Sequence, residues 1–85
     1  MNKFLLIGGL GFVGKNLTKY LTGLGKEVHI IDIKVPNKQE ESFINEYSVS
    51  YKQGDVNSVQ FLKEIFQDNK FSGVYHLASQ VGIKN

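Results

Sequence analysis

Four glycines within seven residues constrain this chain more than any other feature. The run Gly8-Gly9-Leu10-Gly11-Phe12-Val13-Gly14 follows an apolar stretch at residues 3–7 and precedes a segment with helical periodicity. It satisfies both G-x-G-x-x-G and the related G-x-x-G-x-x-G. Glycine tolerates the backbone of a tight turn, and its missing side chain lets the chain approach a phosphate closely. Strand, glycine turn and helix in this order predict a nucleotide-binding βα unit.

Strands and helices alternate along the rest of the chain. Apolar residues recur at helical spacing after residue 12, and Gly23 and Gly25 then provide a stop. The order β-α-β-α-β-α-β predicts an α/β fold with a parallel sheet and right-handed crossovers. The periodicity predicts strands near residues 3–7, 27–33, 48–52 and 74–78, and helices over 12–24 and 40–47 and from an N-cap at Asn57 or Ser58.

Composition narrows the function classes. The 85 residues contain no cysteine, which excludes a disulfide framework and a thiolate metal site, and no metal site is predicted. The net charge of +2 comes from ten lysines without any arginine, which does not indicate nucleic-acid binding. No apolar run approaches the roughly 20 residues of a membrane span, and glycines soon interrupt the apolar N-terminus. We therefore expect a cytoplasmic protein without membrane contact.

A second phosphate-binding motif competes for the glycine run. Residues 9–16 nearly fit the P-loop pattern G-x-x-x-x-G-K-[ST], with Lys15 as the lysine. Asn16 stands where the P-loop requires a hydroxyl to hold Mg²⁺. Lys15 is then more simply a solvated helix residue.

Asp32 favours a dinucleotide site instead. It lies 18 residues after Gly14, at the end of the second predicted strand, where such folds place an acid that binds the ribose hydroxyls. A carboxylate there repels a 2′-phosphate, and the chain has no arginine to bind one, so NAD(H) is predicted over NADP(H). Lys34 could soften this preference. The alternative is that Asp32 is only a turn residue after a strand.

Four segments together match the pattern of one enzyme family: residues 8–14, Val28-His29-Ile30-Ile31-Asp32, Gly54-Asp55-Val56 and Val74-Tyr75-His76-Leu77-Ala78-Ser79-Gln80. The chain resembles the N-terminal, NAD-binding part of the extended short-chain dehydrogenase/reductase superfamily, and more narrowly the NAD-dependent sugar-nucleotide epimerase/dehydratase family. Ile7 departs from the family's usual Thr, and Ser79 from its Ala.

The resemblance implies a partial Rossmann fold of strand order 3-2-1-4 with helices on both faces, and a set of cofactor contacts. In that set Asp55 binds the adenine amino group, Val56 packs on the ring, and Leu77 and Ala78 line the ribose and pyrophosphate. Asp55 could instead be only a turn residue, and His76 is more simply a packed core histidine than a catalyst. The implied NAD contacts are Gly8, Gly11, Phe12, Val13, Gly14, Asp32, Ile33, Asp55, Val56, Leu77, Ala78 and Gln80.

The family's catalytic pair is absent from these residues. The fourth residue after each tyrosine is Leu24, Tyr51, Asp55 or Ser79, so no Tyr-x-x-x-Lys occurs and no catalytic residue is predicted. Residues 1–85 are therefore expected to be the N-terminal part of a dinucleotide-binding domain. Alone this part would be inactive and would self-associate through the open edge of its last strand, with a nucleotide-sugar bound only by a full-length form. Two alternatives stay open: a stand-alone NAD(H)-responsive module, and part of a reductase acting on a non-sugar alcohol.

Overall fold

The computed structural model describes residues 2–77, in which strands and helices alternate as predicted. Two of the predicted NAD contacts, Ala78 and Gln80, lie outside the described residues. None of the helices within residues 2–77 is long and apolar enough to cross a bilayer. The strands are β1 (Lys3–Ile7), β2 (Glu27–Asp32), β3 (Ser50–Gln53) and β4 (Gly73–His76), and the helices are α1 (Phe12–Gly23), α2 (Lys38–Glu46) and α3 (Val59–Asp68).

The four strands form one parallel sheet of order β3-β2-β1-β4, which confirms the predicted order. In the register of the sheet, Leu6 of β1 lies opposite Ile30 of β2 and Tyr75 of β4. β1 and β2 occupy the centre because their apolar runs supply a side chain to both faces, as strands covered on both sides require. From β1 the chain adds β2 and β3 on one side of the sheet and then β4 on the other. The boundary between β1 and β4 is therefore the switch point of the sheet.

One face of the sheet is covered by α1 and α2. Leu6, Val28 and Ile30 point to this face and form a buried cluster with Leu21 of α1. Ile44 of α2 packs against the same cluster. Full burial of a leucine or isoleucine side chain contributes about 1.5–3 kcal/mol, so this cluster is a main source of stability.

The opposite face is covered by α3. A second buried cluster joins Ile65 of α3 to strand residues adjacent in sequence to those of the first cluster, namely Leu5, Ile7 and Ile31. Because successive strand residues point to opposite faces, β1 contributes to both clusters. The prediction of helices on both faces is therefore confirmed.

Two elements begin two residues away from the predicted position. Helix α2 begins at Lys38, two residues before the predicted start, because Asn37 and Glu40 form a capping box. Strand β3 begins at Ser50 rather than residue 48, since Ser48 has a φ of 53°, in the left-handed region that no strand residue adopts. Both differences come from local backbone chemistry and leave the topology unchanged.

His76 departs from its predicted place in the core. It lies at the end of β4 and is solvent-exposed. The reason is that β4 is an edge strand, paired only with β1 among the described strands. An apolar run on an edge strand has the composition of a buried strand without its surroundings, and sequence pattern alone does not separate the two.

Candidate functional site

The predicted cofactor residues meet at the carboxyl edge of the sheet. Each follows one of the parallel strands, and all these strands end at the same edge. Hydrogen bonds join the four segments there. Gly8 N donates to Ile31 O at 2.7 Å, Gly54 N to Asp32 O at 2.9 Å, and Leu77 N to the carbonyl of Ile7, which precedes Gly8, at 2.8 Å. The edge is therefore one connected surface, at the switch point where open α/β sheets bind their ligands.

The glycine turn needs its glycines for two separate reasons. Gly8 has a φ of 79°, in the left-handed region that disfavours a side chain. A Cβ on Gly14 would lie 2.2 Å from the carbonyl oxygen of Gly9, so the start of α1 rests directly on the turn. A Cβ on Gly9 would meet Leu6 at 2.9 Å and Ile30 at 3.0 Å. These contacts hold α1 close to the sheet with its N-terminus at the carboxyl edge.

The N-terminus of α1 is open toward solvent. Gly11 is the N-cap and provides no side-chain hydrogen bond, and nothing lies within 4 Å of the position its Cβ would take. The hydrogen bond from Lys15 N to Gly11 O, at 3.0 Å, is the first turn of the helix, so the amides of Phe12 and Val13 precede it. Phe12 is 84% exposed and Val13 54% exposed. Free amides, the positive end of the helix dipole and open space together suit a phosphate.

Asp32 touches the glycine turn. Its Oδ2 accepts a hydrogen bond from Leu10 N at 3.4 Å, and its Oδ1 accepts one from Lys34 N at 3.3 Å. Both bonds are long, and the residue is only partly buried, so its carboxylate keeps acceptor capacity for a further donor. The turn interpretation of Asp32 explains the bond to Lys34 N, two residues on, but it does not account for the contact with Leu10, 22 residues away.

Lys15 does not behave as a P-loop lysine. Its Nζ lies 6.0 Å from the ring centroid of Phe43 on α2, in a cation–π arrangement. A P-loop lysine instead reaches back over the turn to the phosphates. The position of Lys15 therefore favours the dinucleotide interpretation over the P-loop one.

A polar network holds the loop between β2 and α2. The Lys34 ammonium lies 2.6 Å from Oε2 of Glu40, and the hydroxyl of Tyr51 donates to the carbonyl of Lys34. Gln53 Nε2 donates to Ile33 O at 3.0 Å. The bond to Lys34, followed by the backbone bond to Asn37, holds the pKa of Glu40 below its ordinary value although burial opposes this. Burial, with the nearby Asp32 and Glu40 carboxylates, raises the pKa of Tyr51 to about 12.

Sequence reasoning missed most of this network. It predicted a strand near residues 48–52 and a helix over residues 40–47, but no contact between them and the loop after β2. One signal was available: Asn37 and Glu40 have the spacing of a capping box. The contacts of Tyr51 and Gln53 span 17 and 20 residues, and no local pattern indicates them.

Residues 54–56 follow β3 in a tight turn. The carboxylate of Asp55 accepts a hydrogen bond from Asn57 N at 2.9 Å, the local turn that was the alternative interpretation of this residue. Asp55 is nonetheless solvent-exposed at the carboxyl edge, and Val56 is half-buried against the α3 cluster. A Cβ on Gly54 would lie 2.4 Å from the ring of Phe61, so glycine is required for the turn to pack on α3.

The other predicted contacts differ in exposure. Ile33 is 63% exposed, beside Asp32. Leu77 is partly buried and packs against the cluster beneath α1. Both lie at the carboxyl edge, so each described member of the predicted set is brought to the same end of the sheet.

A cavity of about 270 Å³ lies elsewhere in the molecule. Ser50, at the start of β3, and Asp68, at the end of α3, contribute to its walls, which places it toward the amino edge of the sheet. It contains none of the predicted cofactor contacts. Residues 2–77 contain no group of three histidines, aspartates or glutamates that could hold a metal ion.

The residues at the carboxyl edge fit a dinucleotide. Gly11 leaves open space in front of uncapped helix amides, which suits a pyrophosphate, and the partly buried Asp32 carboxylate beside them suits a ribose diol. A family model described as GDP-mannose 4,6-dehydratase matches residues 5–85. The chain belongs to this family. The resemblance to the sugar-nucleotide epimerases and dehydratases is thereby confirmed.

Individual relatives carry names from the same group of enzymes. The chain is 26% identical over 74 residues to UDP-glucose 4-epimerase of Lacticaseibacillus casei, covering 87% of this chain and 22% of that one. It is 29% identical over 90 residues to dTDP-D-glucose 4,6-dehydratase of Dictyostelium discoideum, covering 100% of this chain and 21% of that one. The chain thus spans about a fifth of the length of these curated relatives.

Solved structures agree with the fold. The UDP-glucose 4-epimerase of Bifidobacterium longum, solved with NAD⁺ and UDP, superposes with a TM-score of 0.78 at 22% identity, over 89% of this chain and 24% of that one. Another UDP-glucose 4-epimerase structure gives a TM-score of 0.74 at 28% identity, over 91% of this chain and 22% of that one. The Rossmann-like architecture is shared with these enzymes.

Proposed function

We propose that this chain is the NAD(H)-binding segment of a sugar-nucleotide epimerase or dehydratase. The observation that carries the proposal is the contact between Asp32 and the glycine turn, with Leu10 N bonded to Oδ2. It brings a ribose acceptor and a phosphate site within the reach of one dinucleotide. Family membership supports the same cofactor, and the epimerase of Bifidobacterium longum was solved with NAD⁺.

Each part of the site has one task in this proposal. The amides of Phe12 and Val13, at the open end of α1, bind the pyrophosphate, and Gly11 lets it approach. Asp32 accepts the ribose hydroxyls, Asp55 and Val56 receive the adenine, and Ile33 and Leu77 border the cofactor. Bound NAD would supply hydride acceptance and return. The tyrosine–lysine pair that moves the sugar's proton in the family is not among these residues, so the chain alone is proposed to bind the cofactor without turnover.

A self-associating NAD(H)-binding module is the second candidate. The observation that favours it is the edge strand β4, where Val74 and Tyr75 are 45% and 38% exposed. Such an edge presents free backbone groups beside apolar side chains.

The cytoplasmic location stays a prediction from the sequence.

Calorimetric titration of the 85-residue chain with NAD⁺ and NADP⁺ tests the proposed function. We expect NAD⁺ to bind more tightly, and Asp32→Ala to weaken NAD⁺ binding about tenfold or more and to remove most of the preference, since hydrogen bonds to a charged acceptor contribute about 1.5–3 kcal/mol. Asp68→Ala, at the far end of α3, makes the same charge change and should leave both affinities unchanged. If the ratio of NAD⁺ to NADP⁺ affinity is the same in the native chain and in Asp32→Ala, the ribose role of Asp32 is contradicted.

A further inference from the structure

Lys34 is the cation nearest in sequence to the proposed ribose acceptor. It lies two residues after Asp32, and its backbone amide donates to Oδ1 of that carboxylate at 3.3 Å. A basic side chain at such a place is what accommodates the 2′-phosphate of NADP(H). By position alone, therefore, Lys34 would reduce the discrimination that Asp32 provides.

The ammonium of Lys34 is bound to another residue. Its Nζ lies 2.6 Å from Oε2 of Glu40, a charge-assisted hydrogen bond. The Glu40 side chain is only 5% exposed, whereas that of Lys34 is 49% exposed. The fixed partner is therefore the carboxylate, and the lysine reaches inward to meet it.

Glu40 is held on its other side by the helix cap. Its Oε1 accepts a hydrogen bond from Asn37 N at 2.9 Å, and its own amide donates to Asn37 Oδ1 at 2.8 Å. The main chain of Lys34 is held as well, because its carbonyl accepts from the Tyr51 hydroxyl. With both ends of the pair anchored, the lysine side chain has little freedom to turn toward a cofactor.

We propose that Glu40 is a specificity-determining residue, which engages Lys34 and so withholds it from a 2′-phosphate. The inference rests on the proposed function. Its electrostatic content is simple: two carboxylates, Asp32 and Glu40, flank one lysine, so the surroundings of the ribose are not cationic. The ammonium of Lys15 lies over the ring of Phe43 on α2, and its charge also acts on the Glu40 carboxylate. Two effects thus disfavour NADP(H): the Asp32 carboxylate repels its 2′-phosphate, and the ion pair with Glu40 keeps Lys34 from binding that phosphate.

Binding of NAD⁺ and NADP⁺ to the 85-residue chain, measured by calorimetry on four variants, tests this inference. Glu40→Gln keeps an oxygen for Asn37 N but loses the charge, so NADP⁺ should gain about tenfold in affinity relative to NAD⁺, as a newly available ion pair to a phosphate allows. The double variant Glu40→Gln/Lys34→Met should lose that gain. Lys34→Met alone should give no gain for NADP⁺, because the ammonium is already engaged and the Glu40 carboxylate left without it repels a 2′-phosphate. Glu41→Gln, an exposed neighbour, controls for net charge.

The outcomes separate the two proposals. An unchanged ratio in Glu40→Gln, with normal NAD⁺ binding, would overturn the role of Glu40 and leave the proposed function standing. Absence of NAD⁺ binding by the native chain would overturn both. Circular dichroism reports whether Glu40→Gln folds. Should it not fold, the measurement below decides, because it tests the pairing of Lys34 with Glu40 directly. A second readout needs no cofactor: carbon NMR titration should find that Lys34→Met raises the pKa of the Glu40 carboxyl, and an unmoved value would contradict the pairing.

Discussion

Of two polar side chains buried next to the core, one has hydrogen-bond partners and the other has none among the described residues. Glu40 is 4% exposed, and bonds from Lys34 and Asn37 satisfy its carboxylate. Thr18 of α1 is fully buried, and its hydroxyl has no partner among the residues that the structure describes. A buried hydroxyl without a partner costs about 1–3 kcal/mol, so a single residue here offsets part of the stability that the core contributes.

Replacing Thr18 by valine should therefore stabilise the chain. The substitution exchanges the hydroxyl for a methyl group of similar size, and the two residues have similar helix propensity. We expect the free energy of unfolding to rise by about 1 kcal/mol, measured by urea denaturation followed by circular dichroism. The matched control is Thr22→Val, because the Thr22 hydroxyl does have a partner, donating to Thr18 O at 2.8 Å. A loss of stability in Thr18→Val as large as in the control would contradict the argument.

At the scale of elements, helix α2 owes its start to charge and capping rather than to apolar periodicity. Its N-cap, Asn37, and its third residue, Glu40, satisfy each other's backbone amides. Acidic residues in the first turn, Glu40 and Glu41, also complement the helix dipole. The same cap fixes the position of the ion pair with Lys34, so the element and the proposed selectivity share one structural cause.

The stability of the fold should consequently depend on pH in the acidic range. Bonds to Lys34 and Asn37 hold the pKa of Glu40 below its ordinary value of 4.5 in the folded state. The stabilisation is therefore fully present above pH 4.5 and is lost as the pH falls through the lower folded pKa. Denaturation curves at stepped pH values below 4.5 should show a smaller loss of stability in Glu40→Gln than in the native chain.

Glu41→Gln is the control for this measurement, since Glu41 is exposed on the same turn. The control should retain the acidic loss. Glu27, whose pKa the bond to His29 lowers, contributes a second acid-sensitive pair at 2.6 Å that is present in every variant. If Glu40→Gln and Glu41→Gln lose stability in parallel with the native chain, Glu40 is not the group responsible.

At the scale of the whole molecule, the two outer strands of the described sheet differ in chemistry. β3 has the polar sequence Ser50-Tyr51-Lys52-Gln53, with an exposed lysine. β4 has the sequence Gly73-Val74-Tyr75-His76, with an exposed valine and tyrosine. Lysines on an edge oppose pairing with another chain, and an uncharged apolar edge favours it.

The 85-residue chain should therefore associate with a second copy of itself through β4. Size-exclusion chromatography with light scattering over a range of concentrations should find a dimer that dissociates on dilution. Val74→Lys should shift the equilibrium to the monomer by placing a charge on the edge. The control is Val59→Lys, because Val59 is 67% exposed on α3 and does not belong to the edge strand. A native chain that stays monomeric at high concentration would contradict this prediction.

The fold class and the place of the candidate site were predictable from local patterns. Alternating apolar runs and helical periodicity indicate a parallel α/β sheet, because parallel strands need a long crossover connection, which is usually a helix. The glycine run and Asp32 identify the edge at which a ligand would bind. Glycine lets the backbone approach a phosphate, and a carboxylate accepts hydrogen bonds from ribose hydroxyls. The order β3-β2-β1-β4 followed from resemblance and was confirmed.

The tertiary structure decided what those residues contact. Sequence left Asp32 between a turn residue and a ribose acceptor, and only the fold shows that its carboxylate also accepts a bond from Leu10 N, 22 residues away in the glycine turn. Sequence made Lys34 a possible phosphate ligand, and only the fold brings Glu40 within 2.6 Å of it. His76 shows the same limit, since burial depends on neighbouring strands rather than on the residue's own segment. Residue types and spacing therefore determined the chemistry available at the sheet edge, and packing between distant segments determined which groups are engaged and which stay free.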